Sequence, residues 1–297
     1  MPPVIRIGTR GSRLAMRQTE IVADHLKKGG IETETVIIKT EGDTTTGVPL
    51  HQVGGQGIFV RALDEAILRG EIDCAVHSMK DIPAARPDGI RTAAILPRDP
   101  PTDYMAFDRP LDEITSVGTS STRRRAQLLR SDPSLDIREL RGNIDTRIRK
   151  LKSGEYDAIM LAEAGLVRMS LHLNGIRLPA AHFVPAPNQG TIAVVCRDTP
   201  ELTDAILDLD HQDSRMDTMI ERAVMEELGG GCFTPQGIYC FNGHLIAEVL
   251  SLEGLRTERM EEHVKTIEDA REIGRELRSR SLDLINDAKE KLGLEKP

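Results

Sequence analysis

The chain has 297 residues, carries 39 Lys and Arg against 47 Asp and Glu for a net charge of -8, and has 3% aromatic residues with no Trp. That length accommodates two or three domains with separate cores, while the acidic balance and the scarcity of stacking rings exclude generic nucleic-acid binding. Four cysteines (Cys74, Cys196, Cys232 and Cys240) stand at wide spacing with no Cys-x-x-Cys pair, so no metal knuckle or disulfide framework is expected and the thiols should be free, as in a reducing cytoplasm.

The N-terminal run Val4, Ile5, Arg6, Ile7, Gly8 reads as a buried strand with no leader pattern before it, and no run approaches bilayer length. An intracellular protein without a membrane partner is the expectation. Thr9, Arg10, Gly11 and Ser12 then turn into a helix carrying Leu14, Ala15, Ile21, Val22 and Leu26, with Ser12 as its N-cap. Arg10, the Ser12 hydroxyl and the free N–H groups of the first turn make a place for an anion, although a plain cap explains Ser12 equally well. Gly29 and Gly30 end the helix, and residues 33–40 form the second strand of a βαβ unit. Residues 41–57 are polar and glycine-rich, the pattern of a long binding loop or lid and equally of plain disorder, and residues 58–68 return to helical periodicity.

Residues 73–76 form a short strand, followed by His77, Ser78, Met79, Lys80 and Asp81. Polar and ionisable groups at the carboxyl end of a strand stand where open α/β sheets bind ligands, and a carboxylate there can exchange protons with a leaving group. The Pro- and Asp-rich connection 96–103 marks a domain boundary, after which 116–118 is a strand and Thr119, Ser120, Ser121, Thr122, Arg123 and Arg124 open a helix. Hydroxyls, free N–H groups and guanidinium forks at one helix N-terminus form an anion site more specific than any single charge. The basic character extends along the chain: ten Lys or Arg against four Asp or Glu between Arg123 and Lys152 give a local +6, so the rest of the chain carries -14. Strands at 136–140 and 157–161 place Arg141, Arg147 and Arg168 at or just beyond strand ends.

Residues 184–190 read as a return crossing and 191–196 as a strand of the first lobe. Two crossings between two α/β lobes give a periplasmic-binding-protein-like architecture with a central cleft: residues 1–97 and 190–210 form one lobe, 102–186 the other, and 213–297 a small α+β domain. That last domain comprises an amphipathic helix at 213–228, a hairpin around Asn242 and Gly243, and a helix at 266–292 with Ile267, Ile273, Leu277, Leu282 and Ile285 on its apolar side. Between its first helix and its hairpin stand Gly229, Gly230 and Gly231, then Cys232; three glycines select a turn and present one thiol on open backbone.

In this order, the stretches 9–12, 53–55, 77–81, 118–124, 140–143, 154–158, 188–190 and 230–232 resemble the porphobilinogen deaminase (hydroxymethylbilane synthase) family of tetrapyrrole biosynthesis over nearly the whole chain. The resemblance implies a transferase that condenses four porphobilinogen molecules head to tail on a dipyrromethane cofactor held by a thioether, loses one ammonia per unit and releases hydroxymethylbilane with water. By position it makes Asp81 the catalytic carboxylate and Cys232 the attachment point. Lys80, Ser120, Ser121, Arg123, Arg124 and Arg141 would contact the cofactor, and Arg10, Ser12, Ser78, Thr119, Arg147, Arg168 and Gln189 the substrate. The chain departs from the family's usual pattern at Gln52 and Gln56, where lysines are common, and at Gly229, where an acid often stands. A monomer binding this small molecule and no nucleic acid is expected. The rival readings are a two-lobed protein that binds or senses an anionic ligand, and an RNA-binding protein using the basic stretch; the absence of an export signal and the extra thiol-bearing domain count against the first, acidity and few aromatics against the second.

Overall fold

The computed structural model describes residues 4–39, 58–83, 86–229 and 231–294, with the backbone alone at 58, 59 and 232. The 41–57 loop, with Gln52 and Gln56, lies outside the described residues. The chain divides into two compact units, Met1–Asp99 with Gly190–Met216, and Pro100–Gln189 with Asp217–Pro297.

In the first unit β1 (Ile5–Thr9), α1 (Arg13–Lys28), β2 (Thr33–Ile37), α2 (Ile58–Leu68), β3 (Cys74–Ser78) and β4 (Ile90–Ile95) follow one another. The sheet order is β2-β1-β3-β10-β4, where β10 (Ile192–Arg197) arrives from the return crossing. β1 runs parallel to β2 and β3, and β10 runs antiparallel to both β3 and β4. Successive side chains of a strand point to opposite faces, so a strand covered on both sides is apolar throughout. β10 shows this: Ile192, Val194 and Cys196 join the core with Val22 and Leu26 of α1, while Ala193 and Val195 join Leu63, Ala66 and Ile67 of α2. α6 (Pro200–Leu207) covers the first face through Ile206.

The second unit repeats the pattern with β5 (Asp103–Phe107), β6 (Ser116–Gly118), α3 (Thr122–Ser131), β7 (Asp136–Arg138), α4 (Ile144–Lys152), β8 (Ala158–Ala162), α5 (Glu163–Arg168) and β9 (Gly175–Leu178). Its order is β7-β6-β8-β5-β9, with β6 parallel to β7 and β8 and β5 antiparallel to β8 and β9. In each sheet the one reversed interior strand is the first to form after a crossing. Two sheets of the same order, one from residues 5–95 with 192–197 and the other from residues 103–178, are the periplasmic-binding-protein-like lobes.

The remaining elements are α7 (Gln212–Leu228), β11 (Gln236–Phe241), β12 (His244–Leu250), β13 (Thr257–His263) and α8 (Ile267–Lys291). The three strands form an antiparallel sheet packed on the two helices through Ile220, Val224, Ile238, Leu245, Val249, Leu277 and Leu284. Asn242 and Gly243 join β11 to β12 with φ of 50° and 77°, the left-handed pair that a two-residue hairpin turn requires. One apolar position is misread from periodicity: Leu282 is 48% exposed, and α8 instead buries Leu277, Ser281, Leu284, Ile285 and Ala288. Among the described residues no helix is long and apolar enough to cross a membrane.

Candidate functional site

The first unit gathers its polar groups at the carboxyl ends of β1 and β3. Ser12 caps α1, its Oγ accepting from the Ala15 N–H at 3.3 Å, and half-buried Arg10 stands between β1 and that cap. β3 extends two residues further than its apolar run predicts, so His77 and Ser78 belong to the strand. The Ser78 Oγ accepts from Gln18 Nε2 at 2.8 Å; Gln18 is buried on α1, and the sequence reading passed over it. Met79, Lys80 and Asp81 form a single 3₁₀ turn anchored by the buried side chains of Met79 and Ile82 and by the Met79 N–H donating to the Thr191 carbonyl at 2.9 Å. This leaves Lys80 half-buried and Asp81 exposed. His77 takes no part in the turn: it is buried, its Nε2 has no hydrogen-bond partner among the described residues, and burial, then the charges of Arg86 and Arg10, pull its pKa down to about 3. An imidazole so placed is neutral near pH 7 and brings no positive charge to this corner.

The second unit concentrates its charge at the start of α3. Ser121 is the N-cap, accepting from the Arg124 N–H at 3.4 Å; Thr119 Oγ1 accepts from the Ser121 N–H at 3.2 Å, and the exposed Ser120 donates its hydroxyl to the Leu140 carbonyl. Arg123 and Arg124 are both buried and both converge on Asp103, the first residue of β5. Arg123 donates from Nη1 to Asp103 Oδ2 at 2.7 Å and to the Val184 carbonyl at 2.8 Å. Arg124 donates from Nε and Nη2 to Asp103 Oδ1 at 2.9 and 2.6 Å and from Nη1 to the Met160 carbonyl at 3.1 Å. Gln189 completes the ring: it is 1% exposed, and its Nε2 donates to the Pro101 carbonyl at 2.7 Å and to Asp103 Oδ1 at 3.0 Å. Expected among the substrate contacts, Gln189 here steadies Asp103. Burial by itself would push the Asp103 carboxyl up, but the two guanidinium groups more than offset it and hold it well below the usual carboxylate range.

Arg147, on α4 behind the Asn143 cap, donates Nε to the Gly142 carbonyl at 2.9 Å and has no carboxylate partner among the described residues. Burial first, and the Arg124 charge second, bring its pKa down to about 10, so it stays cationic at neutral pH. Arg141 forms an exposed pair with Glu139 at 2.6 Å, and Arg168 is buried at the end of α5. Arg123 and Arg124 thus share a single carboxylate, and Arg147 stands near enough to Arg124 to feel its charge. Such an excess suits a ligand that brings several carboxylates of its own. The sequence reading left Asp103 in a linker; an acid at the head of the run Asp103–Phe107, upstream of three arginines, is the signal that could have found it.

Gly229 and Gly231 both hold positive φ, 66° and 71°, and the backbone at Cys232 lies in a single 3₁₀ turn, Gly231–Phe233, that leads into β11. The Cys232 side chain is outside the described atoms. Cys74, Cys196 and Cys240 are buried free thiols, all raised in pKa chiefly by burial, and Cys240 Sγ donates to Asp217 Oδ1 at 3.3 Å.

Two family models match the chain: "Porphobilinogen deaminase, dipyromethane cofactor binding domain" over residues 5–205 and "Porphobilinogen deaminase, C-terminal domain" over residues 216–283. A probable porphobilinogen deaminase of Methanosarcina acetivorans is 52% identical over 286 residues, covering 91% of this chain and 90% of that protein. One from Archaeoglobus fulgidus is 44% identical, covering 92% and 96%. Among solved structures, a periplasmic substrate-binding protein of an ABC transporter from Coxiella burnetii aligns with a TM-score of 0.43 at 14% identity, over 69% of this chain and 92% of that one. On the two family models and these relatives, the chain belongs to the porphobilinogen deaminase family.

Proposed function

We propose that the chain acts as a hydroxymethylbilane synthase, joining four porphobilinogen molecules head to tail with loss of one ammonia each and releasing the linear product with water. The observation that carries this reading is the pair of guanidinium groups, Arg123 and Arg124, on the single carboxylate of Asp103, with the cation of Arg147 near Arg124 and a helix N-terminus lined with hydroxyls beside them. Each pyrrole unit brings two carboxylates, and guanidinium groups receive them in forked geometry without titrating.

The dipyrromethane cofactor, held through a thioether, supplies the pyrrole end from which growth begins. Cys232 is the residue for that bond: the other three thiols are buried and held in the protonated, unreactive form. Lys80, Ser120, Ser121, Arg123, Arg124 and Arg141 hold the cofactor's acid arms. Arg10, Ser12, Ser78, Thr119, Arg147 and Arg168 hold those of the incoming units, and Gln189 acts through Asp103. Asp81 is the catalytic residue. Exposed on its turn, its carboxylate accepts the pyrrole N–H, stabilises the positive charge that grows as ammonia departs, and manages the proton of that amine. The enzyme works as a monomer in the cytoplasm with no nucleic-acid partner, in keeping with three cysteines outside any disulfide among the described residues and a net charge of -8.

Asp81→Ala tests the assignment. The variant should fold and keep its pyrrole adduct while porphobilinogen turnover falls by roughly 10²–10⁴-fold, the usual contribution of a positioned acid–base group. Turnover near the parent rate would remove Asp81 from the chemistry.

A further inference from the structure

At its far end α3 takes part in a second ion cluster, remote from the groups at its N-terminus. Arg130 donates from Nη1 to Glu248 Oε2 at 2.9 Å and from Nη2 to the His182 carbonyl at 2.8 Å. Arg259, on β13, donates from Nη1 to the same Glu248 oxygen at 3.3 Å and from Nη2 to the Ala181 carbonyl at 2.9 Å. Glu248 sits on β12 at 0% exposure, and its Oε1 has no hydrogen-bond partner among the described residues. A carboxylate of the C-terminal sheet is therefore desolvated in order to receive a guanidinium from α3, and both donors reach on to the backbone of residues 181–182.

The surrounding backbone fits closely. Gly254, with φ of 74° in the β12–β13 connection, lies where a Cβ would come within 2.2 Å of the Ala126 carbonyl oxygen and 2.7 Å of the Arg130 nitrogen. On β11, the Ile238 N–H donates to the Pro185 carbonyl at 3.0 Å, and a Cβ on Gly237 would stand 2.7 Å from that of Val184. The Val184 carbonyl is the acceptor for Arg123 and for Gln127 Nε2, the latter at 2.9 Å. An unbroken set of contacts thus runs from the sheet that follows Cys232 to the guanidinium groups at the start of α3.

We propose that Glu248 is a positioning residue: through Arg130 and Arg259 it fixes the C-terminal sheet on α3 in one register, so that the turn bearing Cys232 is held at a set place relative to Arg123 and Arg124. The proposal rests on the reading of Cys232 as the attachment point. An apolar contact of the same size would hold two surfaces together as well as a buried ion pair does, but it would tolerate sliding. A forked donor on a buried carboxylate has a single low-energy arrangement, and the unpaired charge left by any slip is costly. Arg130, which Glu248 holds, stands in the last turn of α3, about 9 Å along the axis from Arg124, so Glu248 acts from the end of the helix away from Arg123 and Arg124.

Three full-length variants test this: Glu248→Gln, Arg130→Gln and the pair together, with the milder Arg130→Lys as a control that retains the charge and loses the fork. In Glu248→Gln, amide hydrogen exchange over residues 231–240 should quicken by at least ~10-fold while the strands of the first unit keep their protection. The kcat should fall by about 10-fold with little change in KM, the order expected when a reacting group is slightly misplaced. The double variant should lose no more than the worse single one, and Arg130→Lys should fall between. Exchange and kcat at parent values in Glu248→Gln, or losses that multiply in the double variant, would overturn the proposal; should Glu248→Gln fail to fold, Arg130→Lys decides by the same readouts. A pyrrole adduct that survives Cys232→Ser would instead reject the attachment reading. Faster exchange at 231–240 in that background would still report the docking itself.

Discussion

Asp103 shows how a residue without direct chemistry can set up a site. Alone it would be a buried anion, and Arg123 and Arg124 alone would be buried cations; together they leave one net positive charge in fixed geometry. Removing one partner leaves the others uncompensated, so Asp103→Asn should lower stability by about 3–5 kcal/mol, read as a shift in the urea midpoint at unchanged m-value. A cost under ~1 kcal/mol would mean that water reaches the pair and that its charges are screened, as at an exposed ion pair. His77 carries a pH dependence. Its folded pKa of about 3 lies far below the usual 6.5, so the stability it contributes is present above pH 6.5 and is lost as the pH falls from there toward 3. Asp64, pushed up to about 6 by burial against the pull of Arg86, works in the opposite sense as the pH falls from about 6 to its ordinary 3.8. The acid-unfolding midpoint of His77→Gln, followed by circular dichroism, should therefore lie at lower pH than the parent's; a midpoint unmoved or raised would contradict this account of the imidazole.

Elements were legible where their physics is local. The βαβ alternation, the Ser12 and Ser121 caps and the Asn242–Gly243 turn follow from periodicity and from what each residue allows its own backbone to do. β4, β5, β9 and β13 were not found. β5 follows a Pro- and Asp-rich connection that reads as linker, and β13 (Thr257–His263) has almost no apolar alternation. It is a strand because β12 offers a free edge, and partners distant in sequence leave no local trace. The site shows the same division. That arginines and hydroxyls gather after β6 was visible in the sequence, whereas the closing of two of those arginines on an acid twenty residues upstream was not. Gly254 tests a close approach that no pattern revealed. With positive φ and the Ala126 carbonyl in the path of a side chain, Gly254→Ala should cost at least ~1–3 kcal/mol and lower Tm by several degrees. A variant as stable as the parent would show that the β12–β13 connection does not sit on α3.

At the scale of the whole molecule, a net charge of -8 coexists with a +6 stretch between Arg123 and Lys152, and the fold places part of that excess at the start of α3. An acidic protein with one concentrated basic site draws in polyanionic small molecules while its remaining surface repels them. Architecture alone did not decide function, since two α/β lobes serve many ligands. The match to the porphobilinogen deaminase family points that fold toward pyrrole condensation, and the proposal gives Cys232 and Asp81 their parts in it. The central claim is that this chain carries its primer covalently on Cys232, and intact-protein mass spectrometry tests it most directly. The account predicts that active protein is heavier than its sequence by a two-ring pyrrole adduct, reactive with Ehrlich's aldehyde, and that Cys232→Ser lacks it. Active protein at its unmodified mass would contradict the account.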